Sequence, residues 1–318
     1  MVDPHLPRQE PGCKITHIFH PTSGHALRAL PVVFDCDPGK DDAFAIFLAL
    51  ACPEALNVLA ITTVGGNVPI EHTTGNALRI LAAASRTDIP VYRGCARPML
   101  KALETAEESH GVDGLGGSGL PDASGAPQPD HAIAAIIRML ETSPEPLTIA
   151  AIGPLTNIAM VLIGRPDLAD KIGHLAVMGG AQGRGNMTEY AEFNIHVDPH
   201  AAHVALSVCA PITLVTLDTT RNLRPPMSWF EAMEHANEPA RTLAGMWREA
   251  PIALYDVAVT ALLLWPELFT LEACTIDVVL EGERAGQTVI ATGEGKDRLL
   301  TGIDEAALLS RIAQAMKG

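Results

Sequence analysis

The sequence predicts a Rossmann-like α/β protein, with a mainly parallel central sheet and helices on both faces. Three observations lead there. Short, continuous apolar runs alternate with helix-length segments nearly to the end, the pattern of strands buried on both sides. The chain has 318 residues and is 47% hydrophobic but only 4% aromatic, so its core is large and aliphatic. Its most acidic stretch, FDCDPGKDDAFAIF at 34–47, lies between two apolar runs, where the end of a strand in an open α/β sheet meets its ligands.

In order, the first strand is predicted over 31–37 (PVVFDCD). Pro38-Gly39 makes a tight turn, and Asp41 and Asp42 open a helix running through 42–52. A strand at 58–64 (VLAITTV) and a helix at 70–84 follow, then a glycine-rich loop, HGVDGLGGSGLPDASGAP, at 110–127. A helix at 130–142, a strand at 147–152 (LTIAAI), a helix at 154–163 and a strand at 174–179 (HLAVMG) continue the alternation. GGAQGRGN at 179–186 is a second glycine-rich loop, and Pro199 opens a helix over 199–207. A strand at 212–217 precedes helices at 228–236, 239–249 and 256–264, the last stopped by Trp265-Pro266. The polar segment 281–298, flanked by TIDVVL and RLLTGI, reads as a hairpin or a pair of late strands, and a helix at 304–316 ends the chain. No stretch has linker composition. One domain is therefore expected over 31–318, after a poorly ordered extension at 1–30 whose Pro, His and Gly content places it outside the core.

The formal net charge of −15 excludes a nucleic-acid partner, because no basic footprint exists to release counterions. Phosphate-rich substrates are repelled too, unless a local Arg or Lys cluster receives them. No apolar stretch reaches the ~18–20 residues that span a bilayer, so no membrane partner is expected. Cys13, Cys36, Cys52, Cys95, Cys209 and Cys274 form no C-x-x-C pair, which favours reduced thiols in a cytoplasmic protein.

Asp35, Asp37, Asp41 and Asp42 crowd into eight residues. Helix capping accounts for Asp41 and Asp42, at about 0.3–1 kcal/mol each. It does not account for Asp35 and Asp37, which alternate with apolar residues on a buried strand, where unpaired charge is too costly. A divalent cation resolves the conflict. Oxygen donors with no nearby Cys or His suit Ca²⁺ or Mg²⁺. An EF-hand does not fit, since counting from Asp35 puts Gly39 at position 5 and Ile46 at position 12.

The motif D-C-D-P-G-x-D-D-A resembles the N-terminal signature of the inosine–uridine preferring nucleoside hydrolases. ITTVGGN (61–67), HGVDGLGG (110–117), IGPLTNIA (152–159), VMGG (177–180), GNMTEYAEFNIHVDP (185–199) and the Asp256 region resemble further family segments in the family order. The resemblance implies the nucleoside hydrolase fold and Ca²⁺-dependent hydrolysis of ribonucleosides to base and ribose, in nucleoside salvage. It implies Asp37, Asp42 and Asp256 as metal carboxylates, and the backbone carbonyl of Ile152 as a further ligand. Asp37 would also be the base for the attacking water. Asp41 would meet the ribose 2′-hydroxyl, and Asn67 would orient water and ribose. Met178, Asn186, Glu192 and Asn194 match ribose-contacting positions, and His110 matches a loop histidine near the base. Asp35 is similar to a supporting inner aspartate, and a homodimer or homotetramer is the family's usual assembly.

One position departs from the pattern. Many family members carry His before the last metal aspartate, as the acid that protonates the departing base; here Tyr255 precedes Asp256. A phenol with pKa near 10 is a poorer donor near pH 7 than an imidazole, but it can stack on a base. An aromatic residue at this place resembles a purine-preferring branch, so the sequence leans to purines. Other features carry plainer expectations. His196, His200 and His203 have metal-like spacing, but Pro199 starts a new helix between the first two. Trp229 and Trp247 are expected in the core or at a subunit contact, with base stacking a lesser role for Trp247. Two other functions compete: a haloacid-dehalogenase-like phosphatase built on D-x-D, and a calcium- or nucleoside-binding protein without turnover.

Overall fold

The computed structural model describes residues 28–123, 125–208, 210–249 and 252–317. Six runs rich in Val, Ile, Leu and Ala form β1 (Leu30–Cys36), β2 (Leu56–Thr63), β3 (Val91–Arg93), β4 (Leu147–Ala151), β5 (Ile172–Met178) and β6 (Ile212–Val215). Three later strands are β7 (Phe269–Val278), β8 (Thr288–Thr292) and β9 (Asp297–Ile303). Together they make one sheet in the order β3-β2-β1-β4-β5-β6-β9-β7-β8. The pairs from β3 to β6 are parallel, and β9 continues parallel to β6. β7 then runs antiparallel to both β9 and β8. Chain order reverses at β1, which lies between β2 and β4, and crevices at such switch points are where open α/β sheets bind ligands.

The helices are α1 (Lys40–Ala51), α2 (Ile70–Ala83), α3 (Glu107–His110), α4 (Ala132–Thr142), α5 (Thr156–Gly164), α6 (Phe193–Val197), α7 (Pro199–Leu206), α8 (Leu217–Thr220), α9 (Met227–Glu231), α10 (Glu238–Glu249), α11 (Tyr255–Leu264) and α12 (Glu305–Ala315). α1 is buried from Lys40 to Ala49 and α11 from Asp256 to Leu264, as expected of helices apolar all round. They pack side by side, with Thr260 Oγ1 donating to the Ala45 carbonyl at 3.2 Å. One core, around Phe44, Phe230 and Val257, covers one sheet face; the other, aliphatic and around Ile158, Leu162 and Ala202, covers the opposite face. Trp247 is buried in the first core, stacked on Phe230 at 5.0 Å, with its indole N–H donated to the Ile252 carbonyl. Trp229 packs against the same core and donates to the Leu309 carbonyl. Both tryptophans are packing residues.

Strand and helix boundaries mostly fall within two residues of those the sequence predicts, though α9 stops at Glu231, five residues short. The C-terminal end differs more. RLLTGI and TIDVVL belong to β9 and β7, which are neighbours, and the polar segment between them contains β8 at the sheet edge. β7 alternates exposed and partly buried residues, because this antiparallel end keeps one wet face. The predicted extension at 1–30 lies outside the described residues as far as 27, and β1 already begins at Leu30. No described helix is long and apolar enough to cross a membrane, and the described cysteines are free thiols.

Candidate active site

Two helix N-termini meet at the end of β1. α1 brings Asp41 and Asp42 in its first turn, and α11 brings Tyr255 and Asp256 in its own. The exposed N–H groups of a first turn favour carboxylates, which is why these side chains lie there. Asp42, at the third helical position, accepts the Gly39 N–H at 2.9 Å, the Asp37 N–H at 3.2 Å and the Asn67 side-chain amide at 3.1 Å. Carboxylate oxygens of Asp41, Asp42 and Asp256 lie within 4.8 Å of one another, all buried. Burial and mutual repulsion raise Asp41 to about 7, and burial raises Asp42 to about 6. Asp256 is raised well above the usual carboxylate range by burial and by the charges of Asp41 and Asp42.

Asp37 stands beside this trio, just past β1. Its Oδ2 accepts the Asn67 N–H at 2.7 Å, while Oδ1 and the Asp41 Oδ1 have no hydrogen-bond partner although buried. Burial and the Asp42 charge push Asp37 well up. Glycines make room for it: a Cβ on Gly66 would overlap the Asp37 carboxylate, and one on Gly153 would come within 2.6 Å of Oδ1. Asn67 also donates to the Asp37 carbonyl at 3.1 Å, so one side chain ties Asp37 to Asp42. Asp35 is held from behind by Thr62 Oγ1 at 2.6 Å and by the Asn157 amide at 2.8 Å. Asn157, in the G-P-L-T-N segment, also accepts the Cys95 N–H and donates to the Thr63 carbonyl; no feature of the isolated sequence marks it as the clasp on Asp35.

A cavity of about 270 Å³ opens above these carboxylates. Asp41, Asn67, His110, Ile152, Met178, Asn186, Glu192, Asn194, Tyr255 and Asp256 all line it. Asp37 and Asp42 are not among the lining residues, but both are hydrogen-bonded to Asn67, which is. Every site residue that the sequence predicts therefore lines the cavity or bonds to a residue that does. The Ile152 carbonyl accepts the Asn194 amide at 3.1 Å, and that amide also meets the Met178 carbonyl at 3.2 Å. Glu192 caps α6, its two oxygens accepting the N–H groups of Asn194, Ile195 and Gly180. Burial still lifts it to about 7 against those bonds.

His110 ends α3, and its Nδ1 accepts the Lys40 N–H at 3.2 Å. Burial and the Lys40 charge depress it to about 3, so it is neutral near pH 7 and its 3.9 Å approach to Asp41 is not an ion pair. With Nδ1 accepting, its proton sits on Nε2. Tyr255 is raised above its usual value, mainly by burial, so the phenol keeps its proton. His196 turns to Lys101 and Glu104, and His203 to Asp277; with His200 they form no ligand group among the described residues. Thr105, Ala106, Glu108, Ser109, Met187, Phe193, Arg224 and Ile252 also line it, and the sequence gives none of them a role in the site.

The donor set tests well as a cation site. Three buried carboxylates converge, unpartnered oxygens sit on Asp37 and Asp41, and neither Cys nor His belongs to the cluster. The trio that converges includes Asp41, whereas the resemblance gives Asp37 as the third carboxylate ligand.

Comparison with known proteins gives a consistent result. The family model of the inosine-uridine preferring nucleoside hydrolases matches residues 32–310. A relative from Citrobacter koseri, named pyrimidine-specific ribonucleoside hydrolase RihA, is 41% identical over 276 residues, covering 82% of this chain and 88% of its own. Among solved structures, the plant nucleoside hydrolase PpNRh1 superposes with a TM-score of 0.86 at 30% identity, over 91% of this chain and 99% of its own. A purine-preferring ribonucleoside hydrolase from Gardnerella vaginalis reaches 0.83 at 27% identity, over 90% and 99%.

Proposed function

This chain belongs to the inosine-uridine preferring nucleoside hydrolase family and is a nucleoside N-ribohydrolase; from that premise we propose that its metal is calcium and its better substrates are pyrimidine ribonucleosides. The observation that carries the metal is the buried trio Asp41, Asp42 and Asp256 beside Asp37, with oxygens left unpartnered. Calcium takes 6–8 oxygens, carbonyls included, which suits carboxylates from Asp37, Asp42 and Asp256 with the Ile152 carbonyl, a diol and water. Bound there, the cation would gather the ribose 2′,3′-diol and the attacking water into one place.

The protein's own groups supply the rest. Asp37 is fixed through Oδ2 by the Asn67 N–H, leaving Oδ1 to take a proton from the water. Asp41, which lines the cavity, would accept a ribose hydroxyl. Glu192 and Asn194 shape the opposite wall, and a site that requires the sugar hydroxyls rejects deoxy analogues strongly. As the C1′–N bond lengthens, the sugar becomes oxocarbenium-like, and the acidic floor stabilises that charge. Among the described residues that line the cavity, His110 is the histidine and it is neutral, so the Tyr255 phenol would serve the leaving base, with a face to stack on and a hydrogen bond.

On the base, the sequence leans to purines through Tyr255. The relative at 41% identity carries a pyrimidine-specific name and the purine-preferring structure is 27% identical, which supports pyrimidines in place of that lean. Chromatography of base released from cytidine, uridine, inosine and adenosine, with calcium or with excess chelator, tests both parts. We expect uracil and cytosine to be released faster, and only with calcium. Equal release after exhaustive chelation would sink the metal assignment, and faster purine release would restore the original lean. Tight ribonucleoside binding with negligible release would select the non-catalytic alternative. A homodimer or homotetramer is part of the same proposal and is checked by sedimentation.

A further inference from the structure

A second cavity, of about 530 Å³, adjoins the first and shares Asn186, Met187, Arg224 and Tyr255 with it. Three arginines line it: Arg184, Arg221 and Arg224. Glu189 is the one carboxylate among its lining residues, so the wall carries three positive charges against one negative. That is a local reversal in a chain of net charge −15. Half-buried arginines such as Arg79, Arg165 and Arg311 lean on carboxylates, whereas these three, like Arg97, Arg284 and Arg298, form no ion pair among the described residues.

Backbone bonds hold the cluster in place. The Leu254 N–H donates to the Leu223 carbonyl at 2.9 Å, which sets the next residues, Tyr255 and Arg224, side by side. Arg224 Nε donates to the Arg221 carbonyl at 3.1 Å, and Arg221 donates to the Arg184 carbonyl. Arg224 also hydrogen-bonds the Tyr255 phenol; each guanidinium has five N–H groups, so further donors stay open on all three. Asp218, the nearby acid on α8, is occupied by the N–H groups of Gln182 and Gly183. Planar guanidinium forks match phosphate oxygens. The four shared residues border both cavities, so the arginines lie next to the space above the acidic floor.

We propose that this arginine cavity is an anion subsite that receives the 5′-phosphate of ribonucleoside 5′-monophosphates, making them substrates alongside nucleosides. The inference rests on the nucleoside hydrolase reading of the first cavity. In the reaction the C1′–N bond breaks with its electron pair going to the base nitrogen, and water oxygen bonds to C1′. One water proton goes to Asp37 and from there to the base or solvent. The phosphoester bond stays intact, so the products are free base and ribose 5-phosphate.

Initial rates on uridine, uridine 5′-monophosphate and orotidine, at saturating calcium, test it with wild type, Arg184→Gln and Arg221→Gln. We expect base release from the monophosphate without phosphate release. Each substitution should raise the KM for the monophosphate roughly tenfold, the loss of a charge-assisted hydrogen bond, while its kcat and both uridine parameters hold. Added salt should raise the monophosphate KM and leave that of uridine alone. A monophosphate that is neither cleaved nor competitive with uridine at millimolar concentration overturns the subsite while leaving the nucleoside reading intact. Arginine dependence seen with orotidine alone also overturns it, assigning the cavity to a carboxylated base. Cleavage of the monophosphate but not of uridine supports the subsite against the nucleoside reading, and cleavage of neither removes both.

Discussion

The floor and the rim of the pocket carry opposite charge and are held by opposite means. At the floor, Asp37, Asp41, Asp42 and Asp256 are buried at a strand end and two helix starts, with Asp37 and Asp42 held by N–H groups and Asp42 also by the Asn67 amide. At the rim, Arg184, Arg221 and Arg224 lie on loops, two of them exposed, and are tied to one another through backbone carbonyls, with Arg224 also bonded to the Tyr255 phenol. A buried charge demands a partner, so its chemistry follows from its position. An exposed charge is satisfied by water, and only its neighbours give it a task.

The sharpest way to break this contrast is at the floor. Asp37→Ala and Asp256→Ala should each lower kcat/KM by about 10³-fold or more. Gly66→Ala should approach the same loss without removing any donor atom, because its Cβ would displace the Asp37 carboxylate. Loss under tenfold in the aspartate variants, by steady-state kinetics on folded protein, would separate this floor from the chemistry. Between floor and rim, Tyr255→Ala should cost roughly 10–100-fold, and Tyr255→Phe much less if stacking carries the effect. A Phe variant as slow as Ala would assign the role to the hydroxyl.

The metal-free floor should also betray itself in stability. Asp41 and Asp42 are raised to about 7 and about 6, so in this window the folded chain binds more protons than the unfolded one. Their contribution is then fully present below the ordinary carboxylate pKa near 4 and is lost as pH rises towards 7. Calcium removes the repulsion. The gap in thermal midpoint between calcium and chelator should widen from pH 5 to pH 8, with about 2.7 kcal/mol gained at a hundredfold excess over Kd. A gap independent of pH would mean the carboxylates are not crowded without metal. The smallest effect belongs to two solvent-screened ion pairs that line neither cavity: Arg165→Gln, which loses Glu141 and Asp167, should leave the thermal midpoint nearly unmoved and every KM unchanged.

Much of the fold is legible because long apolar strands and helices carry their own period. The elements that escape are short. β3 has three residues, and α3, α6 and α8 have four or five, too few for periodicity to show. β8 hides in a polar segment because it is an edge strand in the half-wet end of the sheet.

By itself the sequence determined the aliphatic parallel sheet and the place of the aspartates, since four carboxylates on a buried strand end and helix start leave few physical solutions. It also marked Tyr255 where an imidazole is usual. Only the tertiary structure decided that Asn157 clasps Asp35 from 122 residues away, that His110 is desolvated and neutral, and that Arg184, Arg221 and Arg224 share one cavity with the pocket. Hydrogen bonding, desolvation and charge summation depend on distances through space, and those are set when separate loops dock, not by neighbours along the chain.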